Sequence, residues 1–169
     1  MPKIRDGRPS DAASIAAIYN ESIAARDSTM QTTPVVPERV AARIRGLGPR
    51  EALLVMAAST GVLGYGMLKQ YSDRDGYRYT AETSVYLRRA RTGEGLGSKI
   101  QEALIRRARS ADYHHLVAKL WADNERSRAL HRKFGYELVG IQQEVGYVEG
   151  EWRDIAILQK VLGEGSAGE

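Results

Sequence analysis

The sequence predicts one mixed α/β domain, with helices packed on a sheet that is largely antiparallel at its start. Strand-like and helix-like patterns follow one another in the order β-α-α-β-β-β-α-β-α-β-β. A chain of 169 residues fits one domain rather than two and can bury a core without disulfides. Residues 1–162 are expected to form this domain, and the glycine-rich residues 163–169 a flexible tail.

The first elements are a short strand and two helices. Residues 3–5 are strand-like. Ser10 precedes Asp11 and a run of apolar residues at helical spacing, so Ser10 is expected to cap the first helix. Pro37 suits the first turn of a second helix. The apolar positions are Ile15, Ile18, Tyr19 and Ile23 in the first helix and Val40, Ile44 and Leu47 in the second.

Three strands are predicted in the middle of the chain, over residues 52–59, 62–70 and 79–87. The first two are apolar runs separated by the turn-forming residues Thr60 and Gly61. The third is rich in Thr, Val and Tyr, which favour strands.

The last part of the chain alternates helices with strands. A glycine-rich segment leads into a helix, and residues 115–121 form a strand. Asp123 or Asn124 is expected to cap the next helix, and Gly135 to end it. The two closing strands are expected at residues 137–147 and 152–162.

Composition excludes several kinds of site. The chain has no cysteine, which excludes disulfides, thiolate catalysis and cysteine-ligated metals. Its net charge of +4 favours anionic partners. The apolar runs are too short for a bilayer, and the N-terminus has no signal-like apolar segment. We expect a cytoplasmic protein with no metal and no membrane partner and, since no recognition motif stands out, no nucleic acid partner.

Gly93, Gly95 and Gly97 alternate between a strand and a helix, which suits phosphate binding by backbone N–H groups. The spacing differs from the dinucleotide pattern, and Ser98 precedes Lys99, so a Walker A loop is also excluded. A coenzyme A pyrophosphate loop and a turn without a ligand both stay open. The neighbouring arginines favour a phosphate site: Arg88, Arg89 and Arg91.

Two motifs together resemble the GNAT family of N-acetyltransferases. The segment from Thr92 to Gly97 is similar to the family's Gln/Arg-x-x-Gly-x-Gly/Ala loop, with Thr92 in place of Gln or Arg. The segment from Asn124 to Tyr136 is similar to Asn-x-x-(Ala/Ser)-x-x-Leu-(Tyr/His)-x-Lys-x-Gly-(Phe/Tyr). The resemblance spans residues 3–162 and implies acetyl-CoA as co-substrate.

Three further segments resemble the phosphinothricin and methionine sulfoximine or sulfone acetyltransferases of this family: residues 18–20, 79–86 and 150–154. This resemblance implies a homodimer that acetylates the amine of such an analogue, or of an arsenical of similar shape. Met30 replaces a usual aromatic residue, and Ser72 an arginine found in some members.

The resemblance also implies roles for single residues. Glu82 is the expected general base, because the attacking amine must lose a proton. Arg74 and Arg78, with Glu82, are the expected substrate-binding residues, because a guanidinium pairs well with a carboxylate. His131 is the expected acid for the coenzyme A thiolate. The expected cofactor-binding residues are Val85, Tyr86, Leu87, Gly93, Glu94, Gly95, Leu96, Gly97, Ser98, Asn124 and Ser127.

Alternatives stay open from the sequence. The same fold could acetylate protein N-termini or lysines through an open groove, or bind coenzyme A without turnover as a regulator. Structural roles also suit several residues: Glu82 on a strand edge, Arg78 at the surface, His131 on a solvated helix face, and Asn124 as a helix cap.

Overall fold

The predicted element order and the mixed α/β fold class are confirmed by the computed structural model, which describes residues 1–163. The tail was predicted at residues 163–169, and all of it except Gly163 lies outside the described residues. The strands are β1 (Lys3–Asp6), β2 (Ala52–Ala58), β3 (Gly61–Gln70), β4 (Thr80–Leu87), β5 (His115–Trp121), β6 (Glu137–Val148) and β7 (Glu151–Val161), and the helices are α1 (Ala12–Ala25), α2 (Pro37–Arg45), α3 (Leu96–Ser110) and α4 (Glu125–Lys133).

The seven strands form one sheet in the order β1-β2-β3-β4-β5-β7-β6. All neighbouring strands pair antiparallel except β4 and β5. The parallel contact between β4 and β5 is short, since residues 80–82 pair with residues 115–117. Beyond it, β4 stays paired with β3 as far as Leu87, and β5 with β7 as far as Trp121. The two strands therefore separate and leave a gap in the middle of the sheet.

Both faces of the sheet are covered, α3 packing on one and α1 with α2 on the other. Two glycines of β3 let the neighbouring elements approach closely. A Cβ atom at Gly66 would lie 2.6 Å from Ile100 of α3, and one at Gly64 would lie 2.5 Å from Leu87 of β4. Since real Cβ atoms do not make such short contacts, side chains at these positions would displace α3 and β4.

The start of α1 differs from the prediction. A 3-10 turn over Pro9–Asp11 precedes the helix, so Ser10 lies inside that turn and does not cap α1. Asp11 is the residue before the helix, and its carboxylate accepts hydrogen bonds from the Arg8 N–H at 2.8 Å and from the Arg5 guanidinium at 2.8 and 3.0 Å. The Arg5 guanidinium holds the pKa of Asp11 below its ordinary value. This contact with β1 could not be inferred from the local pattern.

Within residues 1–163, no helix has both the length and the hydropathy that a membrane span requires.

Candidate active site

Two cavities meet at the gap between β4 and β5. One, of about 680 Å³, lies against α2 and is called the α2 cavity. The other, of about 400 Å³, lies against α4 and the start of α3 and is called the α4 cavity. Both are lined by Thr83, Ser84, Tyr86 and Lys119. Because these shared residues lie where β4 and β5 have separated, the two cavities join through the sheet.

The glycine loop lies at the α4 cavity. Gly93 and Gly95 have φ angles of 85° and 77°, a region that side chains other than glycine rarely adopt. Gly95 occupies the N-cap position of α3 without a side-chain cap. The first-turn N–H groups of Leu96, Gly97 and Ser98 thus have no acceptor within the helix. With the positive end of the helix dipole, they suit an anion.

The arginines beside the loop are each paired with a carboxylate. Arg88 lies 3.4 Å from Glu21, and Arg91 lies 2.9 Å from Glu94. Arg89 makes two bonds to Asp27 and thereby lowers the pKa of that carboxyl. These three charges are therefore largely compensated within the protein. Among the described residues that line the α4 cavity, one arginine side chain has no hydrogen-bond or ion-pair partner: that of Arg126.

The backbone of β4 presents hydrogen-bonding groups to the gap. The Arg88 N–H donates to Leu63 at 2.9 Å, and the Thr80 carbonyl accepts from Tyr71 at 3.1 Å. The backbone N–H and carbonyl groups of the even-numbered residues of β4 thus point toward β3. Because these groups point to opposite sides at successive residues of a strand, the N–H groups of Val85 and Leu87 point toward the gap. Tyr86 contributes differently: its backbone faces β3, while its side chain lines both cavities.

Glu82 is half-buried on β4, and its side chain lines the α2 cavity. Within residues 1–163, no hydrogen bond or ion pair engages its carboxylate. Lys69 of β3 is its direct cross-strand neighbour, and Val117 of β5 is its partner on the other side. Glu82 lies at the last pairing position of β4 with β5, so its carboxylate stands at the edge of the gap and is free to accept a proton.

Three tyrosines form one wall of the α2 cavity. The Tyr86 ring contacts Tyr19 edge-on at 5.2 Å and stacks on Tyr65 at 5.4 Å between centroids. Burial raises the pKa of Tyr65 and of Tyr86, so both phenols are neutral at physiological pH. Sequence reasoning counted Tyr19 among the apolar helix positions and within the resembling segment 18–20 but gave it no site role, and it missed Tyr65. These side chains come together through the packing of α1 on β3 and β4, which a local sequence pattern does not show.

His131 is buried at the α4 cavity, 2% exposed. Its Nδ1 lies 2.7 Å from the Ser127 carbonyl, which can only accept, so Nδ1 carries the proton. Its Nε2 is buried and has no hydrogen-bond partner among the described residues. Desolvation lowers the pKa of His131. The imidazole is therefore neutral at pH 7, with Nε2 as an acceptor, and the acid role implied by the resemblance would require Nε2 to gain a proton first.

Thr83 and Tyr136 form a buried polar pair beneath the gap. The two hydroxyl oxygens lie 2.8 Å apart, and the Gln101 amide donates to Tyr136 at 3.0 Å. Burial raises the pKa of Tyr136 to about 12. This pair joins α3, β4 and the segment after α4, and so fixes the position of Thr83 where both cavities meet.

Asn124 caps α4, which was one of the two roles that the sequence predicts for it. Its Oδ1 accepts from the Ser127 N–H at 3.1 Å, and its Nδ2 donates to the Asp27 carbonyl at 3.2 Å. Both ends of the amide are thus engaged within the protein, and both Asn124 and Ser127 line the α4 cavity. The side chain fixes the start of α4 against the segment that follows α1.

Replacing Asn124 by Ala should lower the free energy of unfolding by about 1 kcal/mol, because α4 loses its cap. The melting temperature should fall by about 2–4 °C for a chain of this size, measured by thermal circular dichroism. Asn124→Ser keeps a capping oxygen and should restore most of the loss. An Asn124→Ala protein that melts like the native one would contradict this role.

Arg74 and Arg78, the arginines predicted to bind the substrate, lie outside the lining of the α2 cavity. Both are exposed around the 3-10 turn Asp75–Tyr77. The Arg78 guanidinium donates to the Asp75 carbonyl at 3.0 Å and stacks on Tyr79 at 4.7 Å. The cations that line the α2 cavity are instead ones that sequence reasoning missed: Arg39, Arg43, Lys69 and Lys119.

Residues 1–163 contain no group of three or more His, Asp or Glu side chains placed to hold a metal ion.

Comparisons with known proteins agree on one family. The acetyltransferase (GNAT) domain matches residues 4–157. An L-methionine sulfoximine/L-methionine sulfone acetyltransferase of Pseudomonas aeruginosa is 37% identical over 161 residues, covering 92% of each chain. A phosphinothricin N-acetyltransferase of Streptomyces coelicolor is 29% identical, covering 95% of this chain and 96% of the other. A GNAT phosphinothricin acetyltransferase from Sinorhizobium meliloti, solved with acetyl-CoA, superposes with a TM-score of 0.91 at 30% identity, covering 99% of this chain and 92% of the other.

Proposed function

The chain belongs to the GNAT acetyltransferase family, and we propose on this premise that it transfers the acetyl group of acetyl-CoA to the amine of a small amino acid analogue. The analogues intended are methionine sulfoximine, methionine sulfone and phosphinothricin. The observation that carries the proposal is the meeting of two cavities at the edge of β4, with Glu82 on one side and the glycine loop on the other. An α2 cavity of about 680 Å³ suits a small acceptor.

Acetyl-CoA is assigned to the α4 cavity. Its pyrophosphate would be held by the loop formed by Gly93, Glu94, Gly95, Leu96, Gly97 and Ser98. The free N–H groups at the start of α3 and the unpaired Arg126 support this assignment. The pantetheine arm and the acetyl carbonyl would lie along β4, where the N–H groups of Val85 and Leu87 face the gap. Asn124, Ser127 and the Tyr86 side chain would form the remaining walls.

The acceptor is assigned to the α2 cavity, with its amine at Glu82. Glu82 takes a proton from the ammonium group, directly or through a water, and so frees the nitrogen lone pair. The amine then attacks the thioester carbonyl carbon, and the N–H groups of Val85 and Leu87 stabilise the negative oxygen. The nitrogen, positively charged after the attack, loses a second proton as the C–S bond breaks, which gives the neutral acetylated amine and a thiolate. The thiolate takes up a proton. We assign His131 to the thiolate end, where it acts as acid only after Nε2 has been protonated.

Acetyl transfer is tested by thiol release from acetyl-CoA with methionine sulfone, methionine sulfoximine, phosphinothricin and an acidic peptide as acceptors. The expected result is release with at least one amino acid analogue and none with the peptide. Release with the peptide alone would overturn the proposal in favour of a protein acetyltransferase, and acetyl-CoA binding without release in favour of a regulator.

A homodimer is proposed from the apolar surface of the β6–β7 hairpin. Tyr147 and Trp152 are each 60% exposed, and their rings contact at 4.8 Å. Large exposed apolar patches commonly mark protein interfaces, and β6 is the edge strand of the sheet. Light scattering coupled to size exclusion should give twice the mass of 18.7 kDa; a single-chain mass at micromolar concentration would contradict the dimer. The other exposed apolar residues of the hairpin are Leu138, Val139, Ile141, Val145 and Val161.

A further inference from the structure

We propose that Arg39 and Arg43 of α2 form a subsite for a second oxyanion, so that the preferred acceptor is an amino acid with an anionic side chain. This inference rests on the proposed function and narrows its substrate class. It distinguishes acceptors with an anionic side chain, such as the phosphinate of phosphinothricin, from acceptors with an uncharged one, such as the sulfone of methionine sulfone.

The first observation is that these two guanidinium groups have no partner in a protein that pairs most of its arginines. Every ion pair found within residues 1–163 contains an arginine. Arg50 and Arg109 donate to backbone carbonyls instead. Neither the Arg39 nor the Arg43 guanidinium has a hydrogen bond or ion pair to another described residue, and both side chains line the α2 cavity. Two free guanidinium groups on one cavity wall are available to a ligand.

The second observation is their spacing on a helix that is fixed in place. Residues four apart lie one above the other on a helix face, close enough for both side chains to reach one ligand group. Val40 and Ile44 of the same helix pack against the core beneath α1. The charge of Arg43 also acts on the phenols of Tyr65 and Tyr86, so it lies near the tyrosine wall. Paired guanidinium groups bind carboxylate- or phosphate-like oxyanions with charge-assisted hydrogen bonds.

The third observation is that the sheet side of the cavity already carries cations near Glu82. Lys69 is the cross-strand neighbour of Glu82, and Lys119 lies two residues beyond its β5 partner. An amino acid carries its amine and its α-carboxylate on one carbon, so an amine at Glu82 places the α-carboxylate beside these lysines. The arginines of α2 then face the end of the acceptor side chain.

The balance of charge supports a second negative group on the acceptor. Four cations line the α2 cavity, and Glu82 is the one carboxylate among its described lining residues. A zwitterionic acceptor with an uncharged side chain brings one carboxylate and leaves the two guanidinium groups uncompensated. An acceptor with a phosphinate, phosphonate or second carboxylate at its side-chain end compensates them.

The experiment measures kcat/KM for phosphinothricin and for methionine sulfone with the native protein, Arg39→Gln, Arg43→Gln and the double variant. The matched control is Arg45→Gln, an exposed arginine of α2 outside the lining of the cavity. With phosphinothricin, each single variant should lose about 10-fold or more, since hydrogen bonds to charged groups contribute that much. With methionine sulfone the loss should stay below about threefold, and Arg45→Gln should match the native protein with both.

A second measurement uses the native protein alone. Raising the salt concentration should lower kcat/KM more steeply for phosphinothricin than for methionine sulfone, because the additional charge is screened. Equal losses with both acceptors in the arginine variants would show that the pair holds the shared α-carboxylate and would overturn the subsite, as would no loss with either. If the native protein acetylates none of the three amino acid analogues, including methionine sulfoximine, the proposed function fails, and the subsite falls with it.

Discussion

Replacing Glu82 by Gln is expected to lower kcat for acetylation of the acceptor amine by about 100- to 10,000-fold, which is the contribution of a positioned general base. Glutamine keeps the size of the side chain and removes its ability to take a proton. The carboxylate lies at the edge of the gap between the cavities, where an amine and a thioester can meet. The measurement is thiol release at saturating acetyl-CoA and acceptor. The residual rate of the variant should rise with pH, because more of the amine is then already deprotonated.

Two controls separate loss of the base from loss of the site. Binding of acetyl-CoA to Glu82→Gln, followed by calorimetry, should equal that of the native protein, because the α4 cavity does not include Glu82. Glu102→Gln, an exposed carboxylate of α3 that pairs with Arg106, should retain full activity. A Glu82→Gln protein with kcat within about threefold of native, well short of the contribution of a general base, would show that another group takes the proton.

Replacing Gly64 by Ala is expected to damage both stability and catalysis. The added methyl group would lie 2.5 Å from Leu87 and 2.9 Å from the Tyr86 carbonyl oxygen. The Leu87 side chain could turn away, but the backbone oxygen moves only if β4 moves. Forcing extra volume into a packed interior costs about 1–3 kcal/mol, or about 2–4 °C in melting temperature for each kcal/mol. A displacement of β4 by about 1 Å would also cost on the order of 100-fold in kcat, since the N–H groups of Val85 and Leu87 would shift.

The matched control for this substitution is Gly140→Ala. Gly140 also lies in a strand, β6, but a Cβ atom there meets nothing within 4 Å. Chemical denaturation should leave Gly140→Ala at or slightly above native stability. If Gly64→Ala has the same denaturant midpoint of unfolding as the native protein and retains native kcat, the close approach of β3 to β4 does not constrain the site.

The local features of this fold follow from short stretches of sequence. Element order could be predicted because apolar periodicity distinguishes helices from strands within ten or so residues. The Asn124 cap and the Gly95 turn were predictable for the same reason: each depends on neighbours three or four positions away. Ser10 was assigned wrongly as a cap because Asp11 is held by Arg5 on a different element.

The features that sequence reasoning missed depend on contacts between distant segments. Lys69 lies opposite Glu82 only because β3 and β4 pair in one particular register. Arg89 is neutralised by Asp27, 62 residues earlier in the chain. Nothing in the sequence distinguishes Arg39 and Arg43 of α2 from any other surface arginine. They line the cavity only because of the position at which their helix packs in the fold. The position of the proton on His131 follows from its contact with the Ser127 carbonyl, one helical turn away. That contact depends on the side-chain rotamer of His131, which the sequence does not show.

The separation of β4 from β5 has a consequence for the order of events in each reaction cycle. With the ligands placed as proposed, acetyl-CoA and the amine occupy different cavities and meet only at the gap between β4 and β5. Neither substrate blocks the entrance of the other, so both can be present together, and the acetyl group passes directly between them without being stored on the protein. The two products likewise leave from different cavities. Slow release of coenzyme A therefore does not delay release of the acetylated amine.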